Sequence, residues 1–385
     1  MDCGGSLEIH RKMTLDPLSF SFSGLTDEFR RRYGKGEYYA DPFFRSLYQR
    51  GSTGLSGLPQ FFSRPELAKK IRNDFTLRLP EIKTVLRDDT SIKLLLQYPD
   101  GACIETVVLF MSSYTSLCVS TQVGCARGCS FCETGRLGFK RNLTAGEIVA
   151  QQMLVQFYLG IRVSNIVFMG MGEPFDNYDQ LLISIDVLKD QRGSNMPASG
   201  MTISTAGHVP GIRRLARLIR EEPERGLRRL SLAVSLHSVD NRQRSAIMPI
   251  NRVWPLEELR SALLEFPLSR KRDRIFIEYT LIPGFNDHPE AVRGLIDYLE
   301  GIPSCVNIIP CNPVSRGGFP RPGRDQVEKF FKALIAGGQY CRVRDTRGDS
   351  IKAACGQLGE FAGHRHKNVS TPGAGGSGEH LPLSV

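Results

Sequence analysis

The sequence predicts an α/β protein, an open or partial (β/α) barrel with a small helical domain at its N-terminus. Three observations predict it. Short β-branched runs alternate with helical stretches six times after residue 117, and residues suited to chemistry collect at the C-terminal ends of those runs. Residues 1 to about 90, in contrast, show helical periodicity broken by turns.

In order along the chain, "LTDEFRRRYG", "DPFFRSLYQRG" and "SRPELAKKIRNDF" carry apolar residues at helical spacing after a Thr, Asp or Ser suited to capping, and make an accessory domain over 1–90. "TSIKLLLQY" and "ACIETVVLF" flank Pro99-Asp100-Gly101, so 91–116 reads as a β-hairpin linking the two parts. The runs "LCVSTQV", "SNIVFMG", "MTISTAG", "LSLAVSLH", "IFIEYTLI" and "CVNIIPC" follow, with helices beginning near Thr144, Asp179, Val209, Pro255, Pro289 and Arg324. Six βα units in succession imply a parallel sheet with helices outside, over 117–360. A barrel is its natural closure; a doubly wound sheet shares the same alternation. The segment 361–385, ending "STPGAGGSGEHLPLSV", lacks periodicity and is expected to be disordered. Gly124-Cys125, Gly170 to Pro174, Ser204 with Gly207, Ser235 to His237, and Asn312 each fall at the C-terminal end of a run. In a barrel those ends share the face that carries active sites.

Composition narrows the function. With 385 residues and 41% hydrophobic content the chain can bury a large core. It shows no apolar run of membrane-spanning length and no secretory signal pattern, which predicts a cytoplasmic protein without a membrane partner. A net charge of +10, with clusters at Arg30-Arg31-Arg32, Lys69-Lys70, Arg213-Arg214, Arg228-Arg229 and Arg270-Lys271-Arg272, favours an anionic partner such as RNA.

Four of the ten cysteines, Cys118, Cys125, Cys129 and Cys132, fall within fifteen residues, and the last three are spaced C-x3-C-x2-C. Crowding of this kind in a reducing compartment points to metal or redox use rather than disulfides. Iron–sulfur cubanes are normally held by four thiolates, so three leave one iron open to an exogenous ligand. S-adenosylmethionine chelates such an iron through its amino nitrogen and carboxylate, and one electron then cleaves a carbon–sulfur bond to give methionine and a 5′-deoxyadenosyl radical. Zinc would ask for a further Cys pair or a nearby His. Phe131, just before the last cysteine, would give a cluster apolar shielding.

C-x3-C-x2-C after the first strand, "GMGEP" after the second, then "STAG", "SLH", "MPIN", "PCNP" and "AACGQL" resemble the RlmN/Cfr family of radical S-adenosylmethionine RNA adenosine methyltransferases, well over residues 90 to 360 and loosely before them. The resemblance implies a partial (β/α)6 barrel of the radical S-adenosylmethionine type, a 4Fe–4S cluster on Cys125, Cys129 and Cys132, and S-adenosylmethionine contacts from Gly172, Glu173, Ser204, Ser235, Leu236, His237 and Asn312. It implies two S-adenosylmethionine molecules per turnover and an electron-donating reductase. Cys355 would accept a methyl group by displacement; the radical would take a hydrogen from it, and the resulting carbon radical would add to adenine. Glu105 would then remove the ring proton, and a disulfide between Cys118 and Cys355 would release the product. Arg344, Arg347 and Lys352 stand near enough in sequence to favour a Cys355 thiolate. The remaining cysteines, Cys3, Cys103, Cys305, Cys311 and Cys341, match no such role and read as structural.

Glu133 stands where the family usually has a small residue, and Tyr39 and Pro42 in "EYYADP" replace an arginine and a glutamine. Within the family, "DTRGDSIKAACGQL" resembles the branch that methylates adenine C2 of 23S ribosomal RNA and, in some members, transfer RNA. The Cfr-type alternative methylates C8. A reading of another class, an iron–sulfur RNA-binding protein without methyl transfer, applies if Cys118 or Cys355 lies away from the site.

Overall fold

The computed structural model describes residues 14–313, 318–344 and 347–359. Cys3 and the tail expected over 361–385 lie outside the described residues.

The N-terminal part holds α1 (Phe22–Tyr33), α2 (Glu37–Arg50), α3 (Pro59–Phe62) and α4 (Pro65–Asp74). Leu25 and Phe29 of α1, Phe43, Phe44 and Leu47 of α2 and Ile71 of α4 recur at helical spacing and are buried together. The expected hairpin is present as β2 (Ser91–Gln97) and β3 (Cys103–Phe110). It does more than link. An unanticipated strand, β1 (Glu81–Arg87), falls inside the segment expected to be helical and pairs antiparallel with β2, while β3 pairs with β4 (Thr115–Cys118). Charged residues alternate outward along β1, which suits the exposed edge of a sheet.

β5 (Gln122–Gly124), α5 (Glu133–Arg136) and β6 (Phe139–Asn142) frame the cysteine loop. The alternating part follows as α6 (Ala145–Met153), β7 (Asn165–Phe168), α7 (Tyr178–Lys189), β8 (Met201–Thr205), α8 (Val209–Glu221), β9 (Ser231–Ser235), α9 (Asn241–Ile247), α10 (Leu256–Leu264), β10 (Ile275–Leu281), α11 (Pro289–Leu299), β11 (Ser304–Pro310), α12 (Arg324–Ala336) and β12 (Cys341–Val343). Local chemistry sets the helix starts. Thr144 accepts from the Glu147 amide while the Glu147 carboxylate accepts from the Thr144 amide, a reciprocal cap on α6. On α8, Val209, Ile212, Leu215, Ala216 and Ile219 form one buried stripe and leave Arg213 and Arg214 outside.

From β4 the strands run parallel in the order β4-β7-β8-β9-β10-β11-β12, so among the described residues ten strands from β1 to β12 make one sheet that does not close on itself. Ser116, Asn165, Thr202, Ser231, Phe276, Asn307 and Arg342, one from each parallel strand, line a common interior cavity of about 420 Å³. A sheet that surrounds one hollow from seven strands is a partial barrel, as the alternation predicts, with the three-residue β12 a seventh strand beyond the six expected because so short a run carries no apolar signal of its own. Among the described residues no helix is long and apolar enough to cross a membrane.

Candidate active site

The C-terminal ends of the parallel strands meet the cysteine loop around a cavity of about 170 Å³. Its wall includes Cys125, Cys129, Cys132, Gly172, Glu173, Ser204, Ser235, His237, Asn312 and Cys355. Leu236 is the exception among the expected contacts at this wall: its side chain is buried in the core, and its backbone amide donates to the Glu278 carbonyl. A residue between two wall positions on a strand end points the other way, so only its backbone stays near the cavity.

The hairpin of β5 and β6 shapes the loop. Gly124 has φ of 75°, and a Cβ there would stand 1.8 Å from the Gly138 carbonyl oxygen, which accepts the Cys125 amide at 3.0 Å. Only glycine allows both the left-handed turn and that approach. Burial pushes the thiols of all three cysteines up, Cys125 to about 12, with neighbouring thiols and the Glu173 carboxylate adding for Cys125 and Cys129. Phe131 packs edge-on against His237, ring centres 4.6 Å apart, where shielding of the loop was expected.

On the opposite wall, Gly172 has φ of 103° and lies so close to Gln122 that a Cβ would come within 2.6 Å of it. Gln122 Oε1 accepts the Glu173 amide at 2.9 Å, fixing the turn. Glu173 is buried; its carboxylate accepts from the Phe175 amide at 3.1 Å and the Ala206 amide at 2.7 Å, yet burial still pushes it up to about 7. His237, at φ of 58°, accepts the Thr280 amide on Nδ1 at 2.9 Å. Burial first, then Arg244, pushes its imidazole down to about 3, so it is neutral and carries its proton on Nε2.

The Cys355 segment is docked onto the cysteine loop. The Glu133 amide donates to the Gly356 carbonyl at 2.8 Å, Thr134 Oγ1 donates to the Leu358 carbonyl at 2.6 Å, and Asn312 Nδ2 donates to the Cys355 carbonyl at 3.2 Å. Cys355 is exposed, and behind it a hollow of about 60 Å³ is lined by both Cys118 and Cys355. Cys118 ends β4 opposite Val107 of β3, and burial pushes its thiol up to about 12. Of the cations expected to favour a Cys355 thiolate, Arg344 is bound to Glu278 at 3.1 Å and Arg347 donates to the Phe110 carbonyl at 3.0 Å.

Glu105 lies on β3 two residues from Val107, hence on the sheet face that carries Cys118, but it does not line the cavity or the hollow. It is fully buried against Lys93 at 3.1 Å, and Lys93 Nζ also donates to the Lys352 carbonyl at 2.7 Å. Sequence reasoning passed over Lys93, although a lysine inside the apolar run "IKLLL" was a signal for a buried ionic partner. It also passed over Arg321, which donates to Asn312 and Asp349 at 2.8 Å each, and Arg244, which lies in the segment leading to "MPIN".

Comparison with known proteins agrees with this arrangement. Residues 119–296 match the model of the Radical SAM superfamily. The chain is 42% identical over 337 residues to the dual-specificity RNA methyltransferase RlmN of Syntrophobacter fumaroxidans, covering 86% of this chain and 94% of the relative. It is 37% identical over 356 residues to a probable dual-specificity RNA methyltransferase RlmN of Protochlamydia amoebophila, covering 92% and 97%. The crystal structure of a radical SAM methyltransferase from Sphaerobacter thermophilus superposes with a TM-score of 0.79 at 36% identity, over 90% of this chain and 99% of that one.

Proposed function

Since the chain belongs to the RlmN family of dual-specificity RNA methyltransferases within the radical SAM superfamily, we propose that it methylates adenine C2 in 23S ribosomal RNA and in transfer RNA, with Cys355 carrying the methyl group. The observation that supports this most is a single cavity wall shared by the three-cysteine loop, the Gly172–Glu173 turn and Cys355, with Cys118 opening onto the hollow behind Cys355.

The donor set fits a 4Fe–4S cluster. Three free thiols face one cavity, and a cubane binds each thiolate through a different iron, so its ligands need not converge on one atom. A single zinc ion needs that convergence, and among the described residues no three His, Cys, Asp or Glu side chains form such a group. When bound, the cluster and S-adenosylmethionine supply the methyl group and, after one-electron reduction by a reductase, the 5′-deoxyadenosyl radical.

The chain's own residues do the rest. The Gly172–Glu173 turn receives the methionine amino group: an ionised Glu173 accepts from its N–H groups, and the Phe175 and Ala206 amides that donate to the carboxylate keep that carboxylate aimed. Neutral His237 offers Nε2–H as a donor at a fixed angle, with Ser204, Ser235 and Asn312 on the same wall, while Leu236 contributes its backbone alone. Cys355 stands at the junction of cavity and hollow, where a thiol accepts a methyl group from one side and meets Cys118 on the other. Glu105 is the proposed base for the adenine proton. For it to act there, the Lys93 pair must open, which requires movement of the segment whose Lys352 carbonyl holds Lys93.

The test is mass spectrometry of nucleosides from 23S ribosomal RNA and transfer RNA treated with the reconstituted, reduced protein. The proposal expects 2-methyladenosine in both. Formation of 8-methyladenosine would move the chain to the other branch, and tight RNA binding with no methylated product would favour a binding role.

A further inference from the structure

Arg127 and Arg344 line the cavity and Arg244 lies behind the wall formed by Ala206 and Ser235; of these three guanidinium groups the first two are neutralised. Arg127 is clasped by Asp176 through two hydrogen bonds, and Arg344 is held by Glu278. Arg244 differs. It is fully buried on α9, and its guanidinium donates to four neutral oxygens: Leu236 O at 3.0 Å, Asn251 Oδ1 at 2.8 Å, Ala206 O at 2.8 Å and Ser235 O at 3.0 Å. No ion pair to Arg244 is present among the described residues. Neutral acceptors do not offset the desolvation of a buried cation, so a charge kept in this way calls for an anion that completes the site.

The surroundings say which anion. The helix that carries Arg244, α9, is joined to the cysteine loop: the Ser130 amide donates to the Ile247 carbonyl at 3.0 Å, and Cys129 packs with Ile247 and Met248. The three acceptor carbonyls belong to the ends of β8 and β9, beside Ser204 and Ser235. Glu173 is one residue removed: the Ala206 amide donates to Glu173 and the Ala206 carbonyl accepts from Arg244. Asn251, the asparagine of "MPIN", holds the remaining edge of the fork and is itself fixed by donating to Asn241 and Ser245. The cation is thus rigid, dry and next to the cysteine loop.

We propose that Arg244 is a positioning residue that serves as the fixed internal cation for the anionic cluster held by Cys125, Cys129 and Cys132, and that it favours the reduced cluster. This rests on the cluster reading above. Three thiolates outweigh the charge of an oxidised cubane core, and an added electron deepens the negative charge, so a nearby cation in a low-dielectric site stabilises the reduced form more than the oxidised one. The same fork ties the strand ends that carry Ser204 and Ser235 to α9, so the charge and the S-adenosylmethionine wall keep one geometry.

Arg244→Gln removes the charge and keeps part of the hydrogen bonding; Arg244→Lys keeps the charge and loses the fork. Wild type and both variants are reconstituted anaerobically with iron and sulfide, checked for iron content and circular dichroism, and titrated with dithionite and redox mediators without S-adenosylmethionine, following the paramagnetic signal of the reduced cluster. The expected result is a reduction equilibrium at least tenfold less favourable in Arg244→Gln, about 59 mV more negative for a one-electron couple, with Arg244→Lys within threefold of wild type. An Arg244→Gln variant that loads no iron while Arg244→Lys loads fully would support the same requirement for charge. An unchanged potential in Arg244→Gln, a shift seen only once S-adenosylmethionine is added, or loss of iron from both variants in an otherwise folded protein would overturn the proposal. Wild-type protein that takes up no iron would instead sink the cluster reading from which it starts.

Discussion

In the proposed site, Glu173 couples S-adenosylmethionine binding to pH. Its carboxyl is pushed up to about 7 by burial, and only the ionised form offers both oxygens as acceptors to the N–H groups of the methionine amino nitrogen. S-adenosylmethionine affinity is therefore expected to be level above pH 7 and to fall toward about tenfold per pH unit below it, by equilibrium dialysis of the reconstituted protein; Glu173→Gln should bind weakly and without this slope. In the ligand-free protein the sign is opposite for stability: a carboxyl raised in the folded state stabilises it in acid, and that contribution is lost as pH rises from 4.5 through about 7. A flat binding profile across pH 5.5 to 8.5 would remove Glu173 from the amino-group site. Residues of this kind were legible because a motif names them, but their surroundings were not. That Asn312 holds the Cys355 backbone, or that Glu105 is closed off by Lys93, depends on partners more than forty positions apart or on the opposite strand of a hairpin, which local patterns do not relate.

The hairpin of β5 and β6 is the element on which the cysteine loop depends. Gly124→Ala would drive a methyl group into the Gly138 carbonyl and oppose the left-handed turn, so the hairpin must open even though the main sheet does not include it. The variant is expected to keep its circular dichroism spectrum while its iron content after reconstitution drops severalfold; full iron loading would show that the loop does not need this hairpin. At α6, Thr144→Ala removes one side of the reciprocal cap and should cost about 1 kcal/mol in denaturant unfolding without touching iron content. The six strands and the helix starts near Thr144, Val209 and Pro289 were readable because buried strands are apolar runs and capping is local. β1 was not: "EIKTVLR" buries neither face deeply, and an edge strand with alternating charges carries little apolar signal.

At the scale of the whole molecule, the net charge of +10 was plain in the sequence while its distribution was not. Arg30 pairs with Asp27, Arg31 and Arg32 share Glu28, and Arg32 also approaches Asp74 at 3.6 Å, so the arginine cluster is largely answered within the N-terminal helices once α1 sets the spacing. Lys69 and Lys70 on α4 are exposed. Neutralising both to Gln is expected to flatten the salt dependence of RNA affinity by about 1 for each lysine that neutralises a phosphate, and Arg31→Gln should change it less; equal effects would contradict this assignment. Cys118 and Cys355, 237 positions apart in the chain, line one hollow, and their assignment to successive steps on one covalent intermediate is the core of the proposed mechanism. It is tested most directly by a denaturing gel of the reconstituted, reduced Cys118→Ala protein incubated with S-adenosylmethionine and RNA. The expected result is a covalent protein–RNA species that nuclease removes and that Cys355→Ala does not form, because Cys355 is joined to the base and no second thiol releases it. Normal turnover by Cys118→Ala with no trapped species would contradict it.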